Sequence, residues 1–232
     1  MILPGDEAIR KCGDSVSSSA FEKSDRILFP DKRFIFNLVP QPYAGKIRTA
    51  KVYFLLLNPG FGLRDIFAEE QSPDYRAKLV NTLNGRTRHI GFDTELYWTG
   101  GFEWTTRKFR TLIETIRDER GWKTHQTLRF FADHVATLEL VPYHSNHYGL
   151  SNKIVEQLQS VQLMRDFVRH ELLPRAESGD CTLLITRKAK EWGIPEKTPN
   201  VITYGRHEAR GAHISKKTRG GIAILKQLRT IH

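Results

Sequence analysis

The clearest feature in the pattern of hydrophobic and polar positions is an uninterrupted apolar run, 52–57, that stops at Asn58-Pro59-Gly60. A run of this length that ends in turn residues is typical of a strand buried on both faces, as in a parallel α/β sheet. Ligands of such sheets bind just beyond the carboxyl ends of the strands. We therefore expect Asn58 to project from a strand end into a crevice; an ordinary strand-to-loop turn is the alternative interpretation.

Three further segments of strand character alternate with helical patterns along the chain. These strand segments are 135–141, 182–186 and 200–204. The clearest helix is 105–120, in which Phe109, Leu112 and Ile116 recur on one face. Other helices are expected at 73–83, 125–134, 151–175 and 220–229. The alternation predicts the α/β class, as a three-layer α/β/α sandwich around a central four-stranded, mostly parallel sheet.

The chain of 232 residues suits one sizeable domain, which we place at 26–232. Residues 1–25 include a Ser-rich stretch and show no hydrophobic periodicity, so we expect them to be poorly ordered. The stretch 84–104 is irregular and rich in Gly and aromatic residues. It predicts a long loop that is either functional or packed by its own rings.

The sequence favours a cytoplasmic protein. No apolar run approaches the length of about eighteen residues that suggests a membrane span, and the first residues do not resemble a signal peptide. Two cysteines, Cys12 and Cys181, cannot form a disulfide framework and favour a reducing compartment. No membrane partner and no obligatory protein partner are expected.

Positive charge is concentrated near the C-terminus. The formal net charge is +10, and residues 187–229 contain eleven Lys or Arg residues against three Glu. Phosphate contacts from such a face supply most non-specific affinity for nucleic acid, so the region predicts a polyanion-binding surface. A merely basic solvated surface is the alternative. Membrane-surface binding is less favoured, because there is no long basic amphipathic helix with aromatic residues.

The loops that follow the four strands should meet at one rim of the sheet, and they are polar, aromatic and basic. They are 58–62, 142–147, 187–193 and 205–217. The chain lacks a P-loop, a Gly-x-Gly-x-x-Gly after a strand and a Gly-x-Ser-x-Gly elbow, which excludes those families. His144-x-x-His147 allows a zinc site, but such a pair without further ligand motifs is more typical of hydrogen-bonding loop residues. No cofactor and no metal are implied.

Glu139 is the one carboxylate at these strand ends, and it lies inside an otherwise apolar strand. A buried Glu without a partner is costly, so it should meet a ligand or a basic group. A side chain that points to an exposed edge is the alternative.

The order of these motifs resembles the uracil-DNA glycosylase superfamily. The resemblance rests on Leu-Leu-Leu-Asn-Pro-Gly-Phe-Gly at 55–62, Glu-Leu-Val-Pro-Tyr at 139–143, and His-Ile-Ser at 213–215 before a basic, Gly-rich helix start. It is strongest to the mismatch-specific and single-strand-selective branches, whose first motif is Gly-[Ile/Met]-Asn-Pro-Gly. It implies that fold and a monofunctional DNA glycosylase, which hydrolyses the N-glycosidic bond of a flipped-out base in DNA repair or in defence against modified phage DNA.

The resemblance also implies roles for individual residues. Asn58 matches the residue that positions the attacking water, and His213 matches the residue that stabilises charge on the departing base. The residues expected to contact the base are Gly60, Phe61, Glu139 and Tyr143. Those expected to hold the DNA are Arg210, Ser215, Lys216, Lys217 and Arg219.

Four positions depart from the family pattern. Leu56 replaces a Gly, Ile214 replaces the Pro after His213, Lys217 stands where an apolar wedge is expected, and Glu139 aligns with a base-reading Asn. Because a carboxylate accepts from an exocyclic amino group and repels a carbonyl, we hypothesise that the substrate is an amino-bearing base, such as a modified cytosine, rather than uracil. A non-catalytic nucleic-acid-binding relative and a nucleotide or nucleoside hydrolase are the alternative functions.

Overall fold

A sheet of five strands organises the fold, and the computed structural model describes residues 1–14, 34–195, 197–211 and 214–231. The strands are β1 (Gly13–Asp14), β2 (Phe34–Ile35), β3 (Tyr43–Ala44), β4 (Val52–Leu56), β5 (Val135–Glu139), β6 (Thr182–Ile185) and β7 (Val201–Thr203). β1 and β2 form a small parallel pair of their own. The main sheet has the order β3-β5-β4-β6-β7.

Nine α-helices accompany these strands in the described residues. They are α1 (Leu63–Gln71), α2 (Pro73–Thr82), α3 (Gly100–Arg120), α4 (Thr124–His134), α5 (Asn152–Val155), α6 (Gln159–Phe167), α7 (Leu173–Glu177), α8 (Arg206–Gly211) and α9 (Arg219–Arg229). Short 3-10 helices occur at Glu7–Cys12, Ile90–Phe92, Thr94–Leu96 and Ala189–Trp192, and a π-helical turn spans Val168–Leu172. None of these helices combines the length and the apolar character that crossing a membrane requires.

The predicted α/β class is confirmed, and so are the four predicted strands, β4 to β7, which run parallel to one another. The predicted number of strands is wrong, because β3 adds a fifth strand antiparallel to β5. β3 is only two residues long and follows Pro42, so its sequence carries no alternating pattern that could reveal it. The sheet is therefore mixed.

Strand β4 is buried on both faces because each face carries its own hydrophobic core. Tyr53 and Leu55 belong to the core on one side, and Val52 and Phe54 belong to the core on the other side. Helices α6 and α7 pack into the first core, and α3, α4 and α9 pack into the second. Helices thus cover both faces, in agreement with the predicted layers.

Helix α3 begins five residues earlier than its sequence pattern predicts. The side chain of Thr99 accepts a hydrogen bond from the backbone N–H of Phe102 and caps the helix, and Gly121 ends it with a φ of 63°. The irregular stretch 84–104 is consequently divided into two 3-10 turns and the first turn of α3. This early start brings the aromatic end of the stretch towards the sheet.

Residues 1–14 pack on the domain, in contrast to the expectation that residues 1–25 are poorly ordered. Ile9 is completely buried in the main core, and the buried Asp6 accepts a hydrogen bond of 2.9 Å from the backbone N–H of Ser160. The short 3-10 helix Glu7–Cys12 has too few residues to show a hydrophobic period. Residues 15–25 lie outside the described ranges.

Candidate functional site

A cleft of about 800 Å³ opens at the carboxyl ends of the strands, on the side of the sheet that α3 covers. Side chains alternate along a strand, so Phe54 and Leu56 of β4 share this side with Thr137 and Glu139 of β5. All four residues line the cleft. The opposite walls are the loop 58–62 and the first turns of α3. Polar side chains that follow β4, β5 and β6 also line the cleft, namely Asn58, Ser145 and Arg187.

Asn58 lines this cleft, and its amide nitrogen faces oxygen atoms only. It donates to the hydroxyl of Ser145 over 2.9 Å and to the carbonyl of Pro59 over 3.0 Å, with the carbonyls of Tyr143 and Ser145 at 3.4 Å. Because only the NH₂ group can satisfy these acceptors, the orientation of the amide is defined. The oxygen, Oδ1, accepts no hydrogen bond from the described residues. It is available to a water molecule or a ligand.

Backbone hydrogen bonds continue past the two strands and hold the loop of Asn58 against the loop after β5. The N–H of Val141 donates to the carbonyl of Leu57 over 2.8 Å, and the N–H of Ser145 donates to the carbonyl of Pro59 over 3.1 Å. At the far end of the loop, the N–H of Gly62 donates to the carboxylate of Asp65 over 2.7 Å as α1 begins. The position of Asn58 is therefore fixed on both sides.

Glu139 is buried at the base of the cleft without a polar partner for its side chain. The residue is 8% exposed, and Oε2 makes no hydrogen bond to the described residues. Burial raises the pKa of the carboxyl well above its usual value of 4.5, which favours the neutral form of the group. Among the described residues, no basic group contacts the Glu139 side chain, and this side chain does not lie at an exposed edge of the sheet.

The buried His89, which also lines the cleft, is a neutral base of defined tautomer. The backbone N–H of Gly91 donates to His89 Nδ1 over 3.1 Å, so the proton lies on Nε2, which is 3.1 Å from the hydroxyl of Thr137. Burial lowers the pKa of His89 to about 4. His89 therefore contributes polarity to the cleft but no charge.

His144 contacts the loop that carries Asn58. Its Nδ1 is 3.0 Å from the carbonyl of Gly60, and its Nε2 is 3.2 Å from the carbonyl of Val39. Burial lowers the pKa of His144, while these carbonyls and the nearby Asp65 oppose that shift. Both ring nitrogens thus face backbone oxygens, which explains His144 as a loop residue. Among the described residues, no group of three or more His, Cys, Asp or Glu side chains could hold a metal ion.

The cations that line the cleft were not among the predicted DNA-binding residues. They are Arg64, Arg107, Lys108 and Arg187. Arg64 is paired with Glu103, whereas Arg107 and Arg187 form no ion pair with the described residues. The pKa of Lys108 is lowered to about 8 by burial and by the nearby charges of Arg187 and Arg107. This mutual repulsion marks a positively charged entrance to the cleft.

Of the predicted DNA-binding residues, the four whose side chains the structure describes do not line the cleft, and they are Ser215, Lys216, Lys217 and Arg219. Lys216 and Lys217 are exposed, and the backbone N–H of Lys216 donates to Thr111 of α3 over 3.3 Å. Arg219 forms an ion pair with Glu208 at 2.7 Å and donates to the carbonyl of Thr203. Ser215 is half-buried, and its backbone N–H donates to the side chain of Thr218. His213 and the side chain of Arg210 lie outside the described residues.

Of the four predicted base-contacting residues, three line the cleft and one does not. Gly60, Phe61 and Glu139 belong to the lining. Tyr143 is 1% exposed in the core on the opposite side of the sheet, where its hydroxyl donates to Asp6 over 2.7 Å. The Tyr143 hydroxyl also accepts from the N–H of Leu3 over 2.9 Å. Tyr143 therefore anchors the N-terminal segment, a contact that nothing in the local sequence indicates.

Two aromatic residues at the end of the irregular stretch, Phe102 and Trp104, also line the cleft. The ring of Trp104 is nearly parallel to that of Phe54, at 13° with centroids 6.2 Å apart, and the residue is 36% exposed. Above the same Phe54 ring lies the ammonium group of Lys108, 5.8 Å from its centroid. The cleft thus combines aromatic surface, positively charged side chains and a buried carboxyl group.

No protein-family model, curated protein or solved structure matches the chain. The function of the cleft must therefore be inferred from the residues that line it.

Proposed function

We propose that the protein is a DNA glycosylase, a divergent member of the uracil-DNA glycosylase superfamily that hydrolyses an N-glycosidic bond and leaves an abasic site. The observation that carries the proposal is that one cleft is lined both by an oriented Asn58 and by a buried Glu139 whose Oε2 has no hydrogen-bond partner among the described residues. A buried polar group without a partner in the protein is well suited to a polar ligand that supplies one. A flipped-out base is a ligand of the appropriate size and polarity.

In this proposal Asn58 positions the water. Its amide nitrogen is held by Ser145 and Pro59, so Oδ1 accepts a hydrogen bond from a water and aims the water oxygen at the sugar C1′. The sugar passes through a transition state of oxocarbenium character, and hydrogen bonds stabilise the negative charge that develops on the leaving base. His213 takes the second of these roles by the sequence resemblance.

The base would stack on the aromatic wall while its polar edge reaches Glu139. Trp104 and Phe61 line the cleft, and stacking of a base on an aromatic ring is worth about 1–3 kcal/mol. The flanking phosphates would lie at the entrance, near Arg107, Lys108 and Arg187. This favours nucleic acid over a free nucleoside as substrate, because a nucleoside has no charge for these cations.

A neutral Glu139 fits an amino-bearing base, but its hydrogen bonds alone do not distinguish that base from uracil, because a carboxyl group can equally donate to O4 of uracil and accept from its N3–H. A neutral carboxyl group donates through its O–H and accepts through its C=O. It can therefore accept from the exocyclic amino group of a cytosine and donate to the adjacent ring nitrogen. Repulsion of a carbonyl by a carboxylate no longer applies.

The test is to incubate the protein with oligonucleotides that carry uracil, cytosine and modified cytosines, and to cleave abasic sites with alkali. We expect strand cleavage with at least one modified cytosine and its loss in Asn58→Ala, while Asn58→Ala still binds the same DNA. DNA binding without any cleavage would favour a non-catalytic relative. Base release from free nucleotides with little salt dependence would favour a small-molecule hydrolase. Rapid release of uracil alone would overturn the proposed base.

A further inference from the structure

We propose that Glu139 is a catalytic acid, which gives its proton to a ring nitrogen of the departing base and thereby selects bases that leave poorly as anions. This inference rests on the proposed glycosylase activity and adds a chemical role that the resemblance does not supply. It assigns the substrate class by leaving-group chemistry: amino-bearing bases, which depart readily only when protonated.

The first support is the position of the carboxyl group. Glu139 is the last residue of β5, paired in register with Leu56, and its backbone N–H donates to the carbonyl of Pro42 over 2.8 Å. The backbone is thus held on both sides. The side chain points to the cleft face of the sheet, as does that of Thr137, two residues earlier on the same strand. An acid on a central strand is a rigidly placed group, as proton transfer requires.

The second support is the absence of a neutralising group among the described residues. A fully buried carboxylate without a cation or hydrogen-bond donor is strongly disfavoured, so the group keeps its proton. His89 cannot take this proton, because its Nε2–H is directed to Thr137 and its Nδ1 already accepts from Gly91. Other titratable or charged side chains that line the cleft are Arg64, Asp65, Glu103, Arg107, Lys108, His144, His147, Tyr75, Tyr148 and Arg187. None of them hydrogen-bonds to Oε2 of Glu139.

Atoms and electrons balance in this step for a cytosine-type base. The O–H of Glu139 gives its proton to ring nitrogen N3, and the electron pair of the C1′–N1 bond moves onto the base, which leaves as a neutral tautomer. The oxygen of the water held by Asn58 forms the new bond to C1′. That water releases one proton to the solvent, and Glu139 takes up one proton from the solvent before the next turnover. No oxidant, metal or cofactor takes part.

The departure of cytosine depends more strongly on protonation by an acid than the departure of uracil does. Uracil can depart as a stabilised anion that hydrogen bonds suffice to support, whereas cytosine and its 5-alkyl derivatives are poorer leaving groups. A neutral acid at the base of the cleft is therefore of greatest use with the poorer leaving groups. General acid catalysis typically contributes about 10²–10⁴-fold to a rate.

The test compares wild type with Glu139→Gln on oligonucleotides that carry 5-methylcytosine, cytosine or 5-fluorocytosine. These bases share one hydrogen-bonding edge and differ in leaving ability. We expect Glu139→Gln to reduce the rate of base release about 100-fold or more for 5-methylcytosine but distinctly less for 5-fluorocytosine. The rate of the variant should therefore depend more steeply on the leaving ability of the base. Glu114→Gln, an exposed position on α3, is the matched control and should keep the wild-type dependence.

The outcomes separate the two proposals. If the wild type releases these bases and Glu139→Gln reduces the rate equally for all three, the role of Glu139 as an acid is contradicted. The proposed glycosylase activity is not. No base release from any of these DNAs or from uracil DNA would overturn both. A readout independent of activity is the infrared C=O stretch of a protonated carboxylic acid at pH 7. It should be present in wild type and reduced in Glu139→Gln, and its absence from wild type would contradict the proposal.

Discussion

The amide nitrogen of Asn58 donates a hydrogen bond of 2.9 Å to the hydroxyl of Ser145, which in turn donates to the carbonyl of His147 over 3.0 Å. The direction of these two hydrogen bonds is fixed, because a carbonyl can only accept. Ser145 is therefore an acceptor for Asn58 and leaves the amide oxygen on the cleft side. This relay connects the loop after β4 with the loop after β5.

Ser145→Ala should weaken the positioning of Asn58 without removing it. The amide nitrogen loses its shortest partner but keeps the carbonyl of Pro59. We expect the rate of base release at saturating DNA to fall by roughly 10-fold, because a misplaced water reduces the rate more than binding. Single-turnover kinetics and DNA affinity measured on the same variant provide the check. Ser178→Ala, an exposed position far from the cleft, serves as control. A change in affinity with an unchanged rate would argue against the relay.

Salt dependence should identify the cations that meet DNA phosphates. Arg187 forms no ion pair with the described residues and lines the cleft, whereas Arg219 is occupied by Glu208. We expect Arg187→Gln to reduce the slope of log K against log salt by about 1, and Arg219→Gln to reduce it by much less. Fluorescence anisotropy with a catalytically inactive Asn58→Ala background would measure both. Equal slopes for the two variants would indicate that the C-terminal loop, rather than the cleft lining, is the DNA-binding surface.

Tyr143 provides a test that separates a base contact from a structural anchor. Its hydroxyl donates to the buried Asp6 and accepts from Leu3, so Tyr143→Phe leaves two polar groups with one partner fewer. We expect a loss of about 1–2 kcal/mol in the free energy of unfolding. The rate of base release should not change. Urea denaturation and the glycosylase assay on the same preparation decide the point, and a selective loss of activity would show that Tyr143 reaches the substrate.

Long apolar runs and helical spacing made most of the architecture predictable. The run that became β4 is buried on both faces because each face has a core, and a strand buried in this way needs the continuous apolar sequence that signals it. The position of Asn58 at a strand end followed directly. Helix α1 was missed because its sequence, Leu-Arg-Asp-Ile-Phe-Ala-Glu-Glu-Gln, is short and follows a Gly at the N-cap position.

The lining of the cleft was less predictable, because it depends on contacts between distant segments. Arg187 and Lys108 are 79 positions apart in the sequence and become neighbours through the packing of α3 beside the end of β6. Charge density along the chain pointed instead to the C-terminal loop, where Arg219 is already paired. Tyr143 was misassigned for the same reason, since its partner Asp6 lies at the other end of the chain.

His89 should make stability sensitive to acid. Its pKa is lowered to about 4 in the folded protein from about 6.5 in the unfolded chain, so the unfolded chain binds the proton more tightly. Stability from this residue is present above pH 6.5 and is lost as the pH falls towards 4, by about 3 kcal/mol. His89→Gln keeps an acceptor for Gly91 and a donor for Thr137 without the titration. Unfolding free energies between pH 7 and pH 4 should therefore fall less steeply in His89→Gln, and parallel curves would contradict the assignment.

Glu139 should have the opposite effect on the pH dependence of stability. Burial raises its folded pKa well above 4.5, so the folded protein holds a proton that the unfolded chain releases. Stability from the neutral acid is complete below about pH 4.5 and decreases by about 1.4 kcal/mol for each pH unit above it, until the folded pKa is reached. A glutamine side chain does not titrate, so Glu139→Gln should gain stability relative to wild type as the pH rises from 5 to 8.

Thermal or urea unfolding of the two proteins across this range measures the difference, with Glu114→Gln as the exposed control. A difference that stays constant with pH would mean that Glu139 is already ionised in the folded protein, and the cleft would then hold a buried charge rather than a proton donor.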